Sequence, residues 1–219
     1  IIVGNHDVYY KDTNRINTPK EIFGDRYKKI KIYEDPEILT FGKTKILFLP
    51  WINRENGEKS MELINSNEAS VVMGHLELNG FKMYKNSFCY HGMNHTVFNS
   101  YDLVMTGHYH HKSTVGNIAY LGSTYEITWA DYNDPRGYHI FDTNTLELEY
   151  YQNPHKIFHK IIYNDNGVET LDKIVKDFSF CRNSYVKVLV EAKNNPYLFD
   201  KFIDSIQLHE PFDLSIIED

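Results

Sequence analysis

Apolar positions along the chain fall into two rhythms. In the front two thirds they come as short runs closed by turn residues. Ile1–Val3 is an apolar stub that stops at Gly4, and Lys29–Tyr33, Ile38–Phe41 and Lys45–Leu49 are β-branched or aromatic runs, the last closed by Pro50. Ser70–Gly74 (SVVMG) and Asp102–Gly107 (DLVMTG) are largely apolar runs, each ending in Gly followed by His. Such runs fit strands buried on both faces of a sheet. A short helix is expected over Glu58–Asn65. Further strands are expected at Ile118–Leu121, Gly137–Phe141 and Leu146–Tyr151, the last two joined through Asp142-Thr143-Asn144-Thr145 as a hairpin.

The back third changes rhythm. Val168, Leu171, Ile174, Val175 and Phe178 recur at helical spacing, and Val186, Val188 and Val190 then alternate along a strand over Tyr185–Ala192. Asn195-Pro196 is an N-cap followed by proline at the first helical position. Phe199, Phe202, Ile203 and Ile206 mark one face of the helix that follows, Pro211 stops it, and Phe212–Ile217 alternates again. The expected organisation is therefore α/β (α+β): a β-rich domain over residues 1–153, then a small α-β-α-β unit over residues 154–219, with the boundary near Asn153-Pro154.

Composition narrows the class. With 42% hydrophobic residues the chain has ample material for a core, which excludes a disordered or collagen-like polymer. No run reaches the roughly 18 apolar residues of a membrane helix, and nothing reads as a signal peptide. Cys89 and Cys181 suit a reducing compartment and require no disulfide. Lys plus Arg number 23 against 30 Asp plus Glu, a net charge of −7, which argues against a general nucleic-acid coat.

Three segments carry the chemistry: Gly4-Asn5-His6-Asp7, Gly74-His75 and Gly107-His108-Tyr109-His110. Each places imidazole or amide groups directly after an apolar strand and a glycine, where the backbone can turn sharply and leave room for a metal or phosphate. Strand ends of one sheet converge on one rim, and imidazole nitrogens with an amide oxygen are sound ligands for Mn, Zn or Fe. Taken singly, each has a plainer reading: a capping or buried histidine, or an Asn/Asp turn. The combination, each piece at a strand end, favours a metal site.

In this order the three segments resemble the later half of the signature of binuclear, calcineurin-like metallophosphoesterases. Within them the chain resembles the SbcD-type DNA nucleases, and their phage branch in particular. Leu49-Pro50-Trp51, Gly74-His75-Leu76-Glu77-Leu78-Asn79-Gly80 and Asn133-Asp134-Pro135-Arg136-Gly137 support the likeness. The resemblance implies a layered β-sandwich flanked by helices, missing its first strands, with a small α/β DNA-binding capping domain behind it. It implies that Asn5, His75 and His108 bind one metal and His110 the other, with His6 as the catalytic histidine. Two divalent ions are implied, Mn first and Mg as the alternative. Implied partners are DNA, an SbcC-like ATPase and a second copy of the nuclease subunit, in the cytoplasm of a bacterium or phage-infected host, with no membrane.

Asp7 reads equally as an orienting residue and as a turn residue. His91, His111 and Arg136 are candidate substrate contacts; Arg136 reads also as a lock on its turn. His155 and His159, four apart around a strand-like stretch, read as structural, and the Arg26, Lys28, Lys29 and Lys31 cluster reads as a phosphate patch or a solvated face. The family's upstream Asp-x-His and Gly-Asp-x-x-Asp segments, which supply the bridging carboxylate, have no counterpart in this chain. A fragment is therefore expected, with weak activity of its own. Three functions compete: a metal-dependent DNA nuclease subunit acting in recombination, replication and repair; a metallophosphoesterase for another phosphoester; and a non-catalytic piece that binds DNA or a partner.

Overall fold

The computed structural model describes residues 1–218 apart from Asn86, Glu169 and Val175, with only the backbone of Asp25 and Leu171. The chain divides into two units, residues 1–124 with 134–152, and residues 125–133 with 153–219. In chain order the elements are α1 (Thr18–Phe23), β1 (Glu37–Phe41), β2 (Thr44–Leu49), α2 (Gly57–Ser66), β3 (Val71–His75), β4 (Lys82–Tyr84), β5 (Ser87–Phe88), β6 (Leu103–Gly107), β7 (Ser113–Val115), β8 (Ile118–Tyr120), β9 (Gly137–Phe141), β10 (Leu148–Gln152), β11 (Phe158–Asn164), β12 (Tyr185–Ala192), α3 (Pro196–Gln207) and β13 (Asp213–Glu218). The fold is mixed α/β. No helix of the described residues is long and apolar enough to cross a membrane.

The first unit is built on a six-stranded sheet in the order β1-β2-β3-β6-β8-β7. Its four central strands run parallel, and β1 and β7 close the edges antiparallel. The continuous apolar runs follow from burial on both faces. Along β2, Leu47 and Leu49 enter a core with Ile64 of α2, whereas Ile46 and Phe48 enter a second core with Tyr33 and Met105. The β9–β10 hairpin packs Phe141 and Leu148 on that second core.

In the second unit β11, β12 and β13 form a parallel sheet with β12 in the middle. Helix α3 buries Leu198, Phe199, Phe202 and Ile206 against Val186 and Val188. Its cap is as expected: Asn195 Oδ1 accepts from the backbone N–H groups of Tyr197 (3.1 Å) and Leu198 (3.3 Å). The Asp165 carboxylate accepts from Asn194 N–H and Asn195 N–H (2.8 and 2.7 Å), which pins the turn into the helix.

Two expected elements are absent among the described residues. The helix expected through Val168–Phe178 is replaced by 3₁₀ turns at Leu171–Lys173 and Ser179–Cys181, so the unit runs strand, strand, helix, strand. Ile174, Phe178 and Cys181 still enter the core, because i, i+3 spacing serves a 3₁₀ turn as well as an α-helix. Val175 lies outside the described residues. The strand expected over Lys29–Tyr33 is reduced to one bridge, Ile2 to Tyr33. Its lysines face solvent, and Lys31 pairs with Glu37 at 2.6 Å. Cys89 and Cys181 are buried free thiols in different units.

Phe202 is 2% exposed and packs its ring on Tyr163 and Phe178. Phe202→Ala is expected to lower the unfolding free energy of the second unit by about 3–5 kcal/mol, read from urea melts.

Candidate metal centre

The parallel strands of the first unit end level with one another. Leu49 pairs with Gly74 and His75 pairs with Gly107, so β2, β3 and β6 deliver their following residues to one rim, where ligand sites of parallel sheets lie. The amino-terminal segment reaches the same rim: Trp51 N–H donates to Val3 O at 2.8 Å, and Val3 is fully buried. Residues Gly4–Asp7 then form a tight turn, closed by Asp7 N–H on Gly4 O (3.1 Å) and by Gly4 N–H on the Asp7 carboxylate (2.7 Å). Asp7 thus holds the turn that presents Asn5 and His6.

Three donor atoms meet at this rim. Asn5 Oδ1 lies 2.8 Å from His75 Nε2 and 3.2 Å from His108 Nδ1, and the two ring nitrogens are 3.4 Å apart. A cation bound at roughly 2.0–2.2 Å by such ligands holds neighbouring ligand atoms roughly 3–3.5 Å apart, so the spacing and the N, N, O chemistry fit a metal. The set is lean in charge. Among the described residues no group of three or more His, Cys, Asp or Glu side chains is placed to hold a metal.

Close approach, rather than a sharp turn, explains two of the glycines. A Cβ on Gly4 would stand 2.8 Å from the His75 ring and one on Gly107 3.2 Å from it, while neither glycine has a positive φ. The unusual backbone falls one residue later, at His108, with φ +88°. Trp51 stacks on His108 (centroids 5.5 Å apart, 27° between planes) and stands edge-on to His75. This wall was visible in the sequence only as a Pro-Trp pair closing a strand. Behind the rim, Thr106 Oγ1 accepts from Leu76 N–H (2.9 Å), and the buried Tyr120 hydroxyl accepts from Leu78 N–H (3.0 Å) and donates to Leu76 O (2.8 Å).

Burial lowers the pKa of His75 to about 4, helped by the nearby charges of His108 and then His6. Burial likewise lowers His108, opposed by Glu77 and assisted by His6 and His110. Both rings are therefore neutral at pH 7, the form a metal requires. His6 itself is exposed.

The remaining candidates are spread around this cluster. His110 stands edge-on to Tyr84 at 6.3 Å, and its backbone carbonyl accepts from Arg136 Nη1. His111 Nδ1 donates to Asp134 (2.8 Å), which also binds Arg136 Nη2 (2.8 Å). Arg136 is only 4% exposed and also reaches Ser123 Oγ, the geometry of a locked turn. His91 lies exposed on a loop, and its carbonyl accepts from the Cys89 thiol. His155 is exposed, and His159 sits on β11 against Phe180.

No family model matches the chain. Against curated proteins it is 34% identical over 223 residues to exonuclease subunit 1 of Enterobacteria phage T4, covering the whole of this chain and 63% of that protein. It is 24% identical over 154 residues to the SbcD subunit of the nuclease SbcCD from Staphylococcus epidermidis, covering 66% of this chain and 41% of the relative. This chain is a relative of the SbcD-type nuclease subunits. A second SbcD-type relative, from Staphylococcus saprophyticus, is 27% identical over 94 residues. The chain spans 63% or less of the length of each of these relatives. The stretch aligned with the phage protein takes in all three strand-end segments.

Because the folded pKa of His75 is depressed below the unfolded 6.5, the unfolded chain binds the extra proton first as pH falls. Stability of the metal-free chain is therefore full above pH 6.5 and lost progressively down to about pH 4, by up to about 3 kcal/mol. Urea titrations at pH 7 and pH 4.5 measure the loss, and His75→Gln is expected to flatten it.

Proposed function

We propose that this chain carries part of the active centre of a divalent-metal-dependent DNA nuclease subunit. It would hydrolyse phosphodiester bonds in recombination, replication and repair, together with an SbcC-like ATPase and a second copy of the subunit. The observation that carries this reading is the convergence of Asn5 Oδ1, His75 Nε2 and His108 Nδ1 within 3.4 Å at level strand ends. The relatives support it by name: one is an exonuclease subunit and two are subunits of a nuclease.

In this reading Asn5, His75 and His108 hold one cation and His110 contributes to a second, with Mn favoured over Mg by the two imidazoles. Divalent cations there would supply the positive charge and the water acidification that phosphodiester hydrolysis needs. The chain's own part is positional. Asp7 fixes the turn, Trp51 and the glycines fix the ring planes, and His6 stands beside the cluster, where its proton can pass to the departing oxygen. Arg136 and Asp134 brace the backbone of His110 and the ring of His111.

Substitutions separate these roles in the complete gene product. His108→Ala is expected to abolish Mn-dependent cleavage and lower Mn content. His6→Ala is expected to reduce cleavage about 10²–10⁴-fold with Mn content retained. Equal metal content in the two variants would show the roles to be wrongly assigned. DNA left uncut by the complete product with Mn and its ATPase would remove the nuclease reading.

The scarcity of charged ligands favours a second expectation about the 219-residue chain by itself. It is expected to bind Mn weakly and cut DNA poorly, measured by calorimetry and by single-stranded DNA digestion. Robust cleavage lost in His6→Ala would overturn this.

A further inference from the structure

Beside the three-donor cluster lies a cavity of about 240 Å³, lined by Trp51, Ile52, His75, Leu76, Glu77 and Met93. It is smaller than the roughly 300–1,000 Å³ of pockets that take drug-sized ligands, and has room for one planar heterocycle. Its wall is a built feature. Gly92 takes φ +86°, and a Cβ there would lie 2.4 Å from the Glu77 carbonyl oxygen, so the loop presses on the strand-end segment as only glycine allows. Met93 N–H donates to Glu77 O (2.9 Å), Asn79 N–H to Met93 O (3.1 Å) and Gly80 N–H to Cys89 O (2.8 Å), which lock the loop in place.

The lining divides cleanly by chemistry. Ile52, Leu76 and Met93 are apolar, and the Trp51 indole offers a stacking surface. The Glu77 carboxylate is an acceptor with no donor among the described residues, close enough to the cluster for its charge to act on His108. His75 belongs both to the cavity and to the cluster, so a base in the cavity adjoins a phosphate at the cluster.

We propose that this cavity receives the nucleobase adjoining the phosphodiester held at the cluster, with the Glu77 carboxylate accepting from an exocyclic amine. The assignment of the phosphate to the cluster rests on the nuclease reading; the base preference rests on the cavity. A carboxylate accepts from the N4 amine of cytosine and repels the O4 carbonyl that thymine carries in its place. Cytosine and thymine are alike in size, so the pair isolates the contact. Glu77 is a specificity residue in this proposal.

The test uses the 219-residue chain with Mn, titrated calorimetrically with dCMP, dTMP and inorganic phosphate, and repeated with Glu77→Gln. The wild-type chain is expected to bind dCMP at least about fivefold more tightly than dTMP, and both more tightly than inorganic phosphate. Glu77→Gln, whose amide offers both donor and acceptor, is expected to bring the two nucleotides to similar affinity. Equal wild-type affinities, a preference that persists in Glu77→Gln, nucleotides no tighter than phosphate, or no nucleotide binding at all would each overturn the proposal. If dCMP preference and its loss in Glu77→Gln are seen while Mn confers no affinity for phosphate, the base pocket stands and the nuclease reading falls.

Discussion

The rim depends on a steric constraint at His75. Its ring occupies space that a side chain at Gly4 would fill to within 2.8 Å and one at Gly107 to within 3.2 Å. Three strands could end level and still leave their polar groups apart. What draws Asn5, His75 and His108 within hydrogen-bond reach is that both flanking backbones come up against this ring. An alanine at either position would push the ring or the turn by a few tenths of an ångström, a large displacement for atoms meant to share one cation.

The same logic runs backward into the core. The segment after His75 leaves the sheet, so its backbone groups lose their ladder partners, and burial would leave them unpaired at a cost of about 1–3 kcal/mol each. Tyr120 and Thr106 replace the ladder for Leu76 and Leu78, and the Tyr109 hydroxyl bonds Leu78 O at 3.0 Å. Burial raises the pKa of both tyrosines, so they remain neutral phenols able to donate. These hydroxyls belong to the centre although none reaches the cluster: they set where Glu77 and the cavity wall stand.

Much of this was legible in the residues. Burial on both faces erases alternation, so SVVMG and DLVMTG announced parallel strands, and the shared Gly-His ending placed their functional groups at one rim. Helix α3 was legible because cap, proline and apolar face agreed. The failures have physical causes. Spacing alone does not separate a 3₁₀ turn from an α-helix, which misled the reading around Ile174 and Phe178. Residues 125–133 join the second unit through long-range contacts with no local pattern: the Glu126 carboxylate accepts from Ile157 and Phe158 N–H (2.8 and 3.0 Å), and Trp129 packs on Phe158. The Trp51 wall and the burial of Arg136 likewise follow from packing that sequence spacing does not encode.

Charge ties these observations together. The chain is acidic, with a net charge of −7, yet a nuclease must hold a polyanion. Burial keeps His75 and His108 neutral near pH 7, so they offer lone pairs and no positive charge. Arg136, which could have offered one, is committed to Asp134 and the His110 carbonyl. In the proposed reading the attraction for phosphate at this rim therefore comes with the bound cation, and affinity for DNA and affinity for metal should rise and fall together. Glu77 sharpens the point. A carboxylate beside a bare phosphate site would only repel, whereas beside a cation-filled one its charge is offset and its acceptor oxygens are left to read the base.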